Sequence, residues 1–132
     1  STLAETANAA TRPLVLVGHS LGVPTIIHAL PHIRAKIAGA FLVAPPDVAS
    51  PNIRPKHFMT FGPYPHQRLP FPSIVVASRN DHYASFETVE KLASAWGSLL
   101  LDAGEAGHIN TDAGYGPWPE GGIAFARFVS RL

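Results

Sequence analysis

The chain contains no cysteine among its 132 residues. That excludes disulfides, thiolate metal sites and a cysteine nucleophile, and it fits a reducing compartment, with the cytoplasm as the expected location. Charge is sparse too: Lys, Arg, Asp and Glu make up 14% of the residues and leave a net charge of +1 with no basic cluster, so no nucleic-acid partner is expected. No apolar run approaches the ~18–20 residues needed to cross a bilayer, and no signal-peptide pattern or internal repeat is present, so no membrane partner is expected either. What the chain does have is 46% hydrophobic residues, enough to bury a core, in a length that allows one domain over residues 1–132.

Four short apolar runs, at 14–17, 40–43, 74–77 and 99–101, read as buried parallel strands. Helices are expected over 21–30, 85–96 and 122–132. Pro24 falls in the first turn of the first of these, where a missing N–H costs little, and Pro31 is placed to stop it. Residues 85–96 carry Phe86, Val89, Leu92, Ala93 and Trp96 at helical spacing, with Ser85 as a cap. Residues 1–11 read as the tail of a helix. Residues 45–72 hold many of the 13 prolines and read as irregular loop. Strands alternating with helices predict an α/β fold with a parallel sheet and right-handed crossovers. Sites in such sheets lie at the carboxyl ends of the strands.

One segment carries chemistry. Gly18-His19-Ser20-Leu21-Gly22 follows the first strand and opens the first helix, matching the G-x-S-x-G nucleophile elbow. In that motif a sharp turn holds the serine in a strained backbone conformation, flanking glycines let strand and helix approach, and helix N–H groups face a developing oxyanion. A serine nucleophile needs a histidine base and an orienting carboxylate, in the chain order Ser, Asp/Glu, His. Asp81 follows the third strand and His108 the fourth, so Ser20, Asp81 and His108 fall at one edge of the sheet. Asp47, after the second strand, is the main rival acid. Asp102 lies too close in sequence to His108, and Glu105 and Asp112 read as solvated loop charges. His28 and His32 read as surface residues rather than metal ligands, and His57 and His66 as candidates to line a pocket. His19 is expected to pack within the elbow, beside the site. Phe58, Phe61, Tyr64 and Phe71 are candidates for a pocket wall, with core packing the competing reading. Trp118 either lines the site or pins the loop after His108; the pinning role is preferred.

Five segments in this order carry a resemblance: the elbow, Leu69-Pro70-Phe71-Pro72-Ser73, Ala77-Ser78-Arg79-Asn80-Asp81, Gly107-His108-Ile109-Asn110 and Gly116-Pro117-Trp118-Pro119-Glu120-Gly121. Together they resemble the small α/β-hydrolase family of the retinoblastoma-binding-protein-9 and YdeN type, over about residues 13–132. The resemblance implies a three-layer, Rossmann-like parallel sheet with flanking helices. It also implies a serine hydrolase without cofactor or metal, with Ser20, Asp81 and His108 as the triad, acting on small esters or related acyl substrates. The Leu21 N–H would donate to the oxyanion. His82 stands where such sequences often have proline, which alters the loop and adds a titratable group beside Asp81.

The family begins with a further strand and helix, so the resemblance marks this chain as N-terminally incomplete. The absent unit would supply a second oxyanion N–H, whose loss typically costs about 10²–10³ in rate. Three accounts are open: the chain is a shortened one, its numbering starts after a disordered part, or it is a natural fragment completed by a partner or by pairing of its open sheet edge with a second copy, a homodimer. A second reading, a non-catalytic protein-binding module on the same fold, treats the triad as a relic. The Leu-x-Cys-x-Glu motif that the resemblance would bring to such a role cannot occur in a chain without cysteine.

Overall fold

The structure is a computed structural model and describes residues 2–48, 63–107, 109 and 119–132. The elements run α1 (Thr2–Asn8), β1 (Leu14–His19), α2 (Gly22–Ala29), a 3-10 turn (Leu30–His32), β2 (Ile37–Val43), β3 (Ser73–Ala77), α3 (Phe86–Trp96), β4 (Leu99–Asp102) and α4 (Pro119–Ser130). All four expected strands form, each extended beyond its apolar run. His19 and Asp102 join because ladder pairing runs past the apolar stretch, and β4, expected to be buried, is an edge strand of the described sheet with no buried residue.

The four strands are parallel in the order β1-β2-β3-β4. Parallel strands covered on both faces must be apolar at successive positions, and β2 and β3 obey this. Leu42, Val75 and Ala77 point into one layer with Val23, Ile26 and Ile27 of α2 and Val89, Leu92 and Trp96 of α3. Phe41, Val43, Ile74 and Val76 point into the other, where Phe128 and Phe125 of α4 cover them. Phe41 meets Phe125 edge-on at 5.5 Å between ring centroids. The result is three layers, with α2 and α3 on one face of the sheet and α4 on the other. α1 packs against α2.

Local signals explain the helix ends. Ser85 caps α3 by accepting from the Thr88 N–H at 3.1 Å. Gly97 closes the same helix at φ 69°, a left-handed position that suits glycine. Pro31 ends α2 through the 3-10 turn, as expected from a residue that cannot donate. α4 starts at Pro119, three residues before its expected beginning, and proline is favoured at a first helical position.

Candidate active site

The elbow forms at the carboxyl end of β1. Ser20 sits at φ 56°, in the left-handed region that a side chain with a Cβ rarely occupies. Its N–H donates to the Val43 carbonyl at 3.0 Å, so the strained residue is tied to the end of the β1–β2 ladder. Gly18 is needed for the close crossing. A Cβ there would lie 2.8 Å from Ile26 Cδ1 and 2.9 Å from the Gly22 backbone. At Gly22 the expectation of a space-making glycine is corrected, because a Cβ there would meet nothing within 4 Å. Gly22 is the backbone that crosses Gly18, and its own Cβ position is open. Leu21 is the N-cap residue of α2, and no side chain caps that helix. Its first-turn N–H groups and the positive end of its dipole therefore lie beside Ser20.

Asp81 is half-buried in the turn after β3 and accepts the Tyr83 N–H at 2.9 Å. The loops after β3 and β4 are stapled to each other. The Ala103 N–H donates to the Ala77 carbonyl (2.8 Å) and the Arg79 N–H to the Gly104 carbonyl (2.7 Å). The Arg79 guanidinium pairs with Asp102 at 2.7 Å and lies 4.3 Å from the centre of the Phe86 ring. That guanidinium and the Gly104 N–H hold the Asp102 carboxyl below the usual carboxylate range. Asp102 is thus committed to Arg79, which gives a structural reason for setting it aside as the triad acid.

His108 lies outside the described residues, but both neighbours are described. Gly107 is at φ 60° and Ile109 at φ 53°. A β-branched residue in the left-handed region is a true outlier, and Ile109 is held there by burial and by its N–H to the Ala106 carbonyl at 3.1 Å. Such strain concentrates at functional loops.

The remaining candidates separate clearly. Tyr64 lines a cavity of about 160 Å³ with Pro45, Pro46, Asp47, Val89 and Leu92, and exposed His66 is on its rim. The Tyr64 hydroxyl donates to the Pro46 carbonyl at 2.9 Å, and its ring meets Trp96 edge-on at 5.3 Å. Burial, then the nearby Asp47 charge, pushes the phenol well above its ordinary value. Asp47, the rival acid, is half-buried and donates its N–H to the Tyr83 carbonyl at 2.8 Å. Val48 connects this wall to the elbow, since Leu21, Tyr64 and Tyr83 all pack on it.

The expectations for His19 and His28 are corrected, and the two readings of Phe71 are decided. His19 is exposed rather than packed in the turn, because alternation along β1 puts it on the face opposite α2. Phe71 packs beside Leu30 and Ile33 near the amino ends of β2 and β3, the end opposite Ser20, so core packing describes it. His32 is exposed as expected, whereas His28 is half-buried. His57, Phe58, Phe61, Asp112 and Trp118 lie outside the described residues. The sequence reading missed Ser78, Asn80 and Val48 as parts of the site. The polar Ser-Arg-Asn triplet directly after a strand was the available signal for the first two.

Several known proteins are similar to this chain in sequence and fold. A YdeN-like protein of Pectobacterium atrosepticum of known structure superposes with a TM-score of 0.80 at 36% identity, over 96% of this chain and 64% of that one. The Bacillus subtilis protein YdeN is 29% identical over 109 residues, which are 79% of this chain and 57% of YdeN. Its crystal structure gives a TM-score of 0.68 at 26% identity, over 88% of this chain and 65% of that one. The chain therefore spans roughly three-fifths of the length of these relatives. The profile of the serine hydrolase family matches residues 1–127. With a strained serine between an apolar strand and an uncapped helix, and that profile over nearly its whole length, the chain belongs to the serine hydrolase family.

Proposed function

We propose that this chain carries the triad of a hydrolase that cleaves small carboxylic esters or related acyl substrates, with Ser20 as nucleophile, His108 as base and Asp81 as orienting acid. The observation that carries this reading is Ser20 itself, held at φ 56° at the mouth of an uncapped helix. A residue on the tight turn into α2 needs no such strain unless its side chain has to be presented. The topology supports the rest. Ser20 and Asp81 leave strands separated by β2 alone, about 10 Å between strand axes, a gap that one imidazole hydrogen-bonded at both nitrogens can fill.

In this mechanism His108 takes the Ser20 proton as Oγ attacks the acyl carbonyl, and the Leu21 N–H donates to the oxyanion. Asp81 holds the imidazole tautomer and stabilises the imidazolium. His108 returns the proton to the departing alcohol, leaving an acyl group on Ser20. Water, deprotonated by His108, then releases the acid and restores Ser20. No cofactor enters. The cavity wall at Tyr64 is proposed to contact the substrate's acyl part, with Phe61 and Trp118 as further candidates from the sequence. A cytoplasmic location and a homodimer through the β1 edge complete the proposal. They rest on the absence of cysteine and on the position of β1 at the edge of the described sheet.

Labelling the purified protein with a fluorophosphonate probe tests the nucleophile. Labelling that disappears in both Ser20→Ala and His108→Ala is expected. Full labelling or esterase turnover in Ser20→Ala would falsify the assignment.

A further inference from the structure

Two small polar side chains outside the triad join the loop of Asp81 to the loop of His108. Asn80 Oδ1 accepts the Gly107 N–H at 2.7 Å, from the residue immediately before His108. It also accepts the Ser78 hydroxyl at 3.1 Å. Ser78 Oγ, buried at 2% exposure, in turn accepts the Ala106 N–H at 3.0 Å. Consecutive amides on the β4 loop are thus taken up by two side chains of the β3 loop. Because the Gly107 N–H can only donate, the carbonyl oxygen of Asn80, not its NH₂, must face it.

The position of these contacts matters more than their number. Arg79 and Asp102 already hold the two loops together at the strand ends, so the Asn80 contact is not needed to keep β3 and β4 paired. It acts further out, at the last residue before His108, where Gly107 at φ 60° turns the chain. Asn80 also adjoins Asp81 in sequence, so one short turn sets both the carboxylate and the backbone leading to the base. A group at the wrong end of the β4 loop could stabilise the fold, but it would leave the direction of residue 108 free.

We propose that Asn80, supported by Ser78, is a positioning residue for the hydrolytic reaction. Its side-chain oxygen fixes the Gly107 amide and with it the backbone that leads into the proposed base, His108. The proposal rests on the triad reading above. Only the acceptor oxygen is required, so aspartate, which keeps an oxygen at the same place, can substitute, whereas alanine cannot.

The test compares wild type, Asn80→Ala and Asn80→Asp with p-nitrophenyl butyrate as a small ester and by amide hydrogen exchange at Gly107. Asn80 is exposed, so both variants are expected to melt near the wild-type temperature. Misplacing the base should lower kcat for Asn80→Ala by roughly ten- to a hundredfold with KM little changed. Asn80→Asp should recover most of that loss. The Gly107 amide should exchange faster in Asn80→Ala than in wild type or Asn80→Asp. Wild-type kcat in Asn80→Ala, or an equal loss in both variants, overturns the positioning role. Unchanged Gly107 exchange in Asn80→Ala overturns the clamp whatever the activity. A wild-type protein that neither turns over the ester nor labels with fluorophosphonate overturns the hydrolase reading itself, and the role assigned to Asn80 falls with it.

Discussion

At Ser20 backbone strain and the proposed nucleophilic role fall on one residue. At φ 56° its Cβ crowds the neighbouring backbone, at a cost of about 1–2 kcal/mol relative to an ordinary conformation. Glycine pays no such penalty. Ser20→Gly is therefore expected to raise stability by about 1 kcal/mol in urea unfolding while abolishing fluorophosphonate labelling. Ser20→Ala should abolish labelling without the gain, because alanine keeps the Cβ. A Ser20→Gly variant no more stable than Ser20→Ala would show that the turn is unstrained. A second residue-scale prediction concerns Asp102. Arg79 and the Gly104 N–H depress its folded pKa, so its contribution is present above the ordinary carboxylate value of about 3.9 and is lost as pH falls through the folded value. Asp102→Asn should remove that part of the acid dependence, read as a shallower loss of melting temperature below about pH 4. An unchanged acid profile would assign the depression no role in stability. The strain at Ser20 was legible in Gly-x-Ser-x-Gly, whereas the strain at Ile109 was not. No residue type in Gly107-His108-Ile109-Asn110 announces a left-handed isoleucine, because burial rather than local preference holds it there.

At the scale of elements, the crossing of α2 over β1 is decided by a single missing Cβ. Gly18 faces Ile26 and the Gly22 backbone within 3 Å of where a methyl would sit, whereas Gly22 faces open space. Gly18→Ala should therefore destabilise by about 1–3 kcal/mol through overpacking, and it should disturb the elbow. Gly22→Ala, at the start of a helix, should be neutral or stabilising by up to about 1 kcal/mol. Thermal unfolding of the pair checks this, and equal losses would refute the asymmetry. The motif named both glycines but could not rank them, since the ranking depends on the crossing geometry. The same holds for the other elements. Apolar runs located every strand, although only β2 and β3 are covered on both faces and must be apolar throughout, whereas β1 is closed on one side and β4 has no buried residue. Their polar ends, His19 and Asp102, were missed because ladder bonds extend past the core. The stapling of the loops after β3 and β4 was hidden altogether. It depends on register between strands, and only the paired ladder brings Asn80 opposite Gly107.

Across the whole molecule, cover is uneven in a way that the element list does not reveal. Over β2 and β3 both faces are closed, by α2 and α3 on one side and α4 on the other, and Val75, Val76 and Leu42 are fully buried. On β1 the side under α2 is closed as well, with Leu16 and Gly18 buried. The opposite side of β1 is not. Val15 is half-buried against the cluster that Phe128 of α4 joins, but Val17 is 57% exposed and His19 is exposed. β1 also pairs with β2 alone in the described sheet. A bare ladder edge beside an exposed valine invites another strand, since pairing would satisfy backbone groups and bury apolar surface together. The 132-residue chain on its own is therefore expected to self-associate with rising concentration in sedimentation velocity. Val17→Lys should weaken that association, because a charge on an edge strand disfavours strand addition, and it should leave the unfolding free energy within about 0.5 kcal/mol of wild type as an exposed substitution. Association that survives Val17→Lys would move the contact away from this edge, to Leu99 on the opposite edge strand β4 or to Ile123 and Val129 of α4.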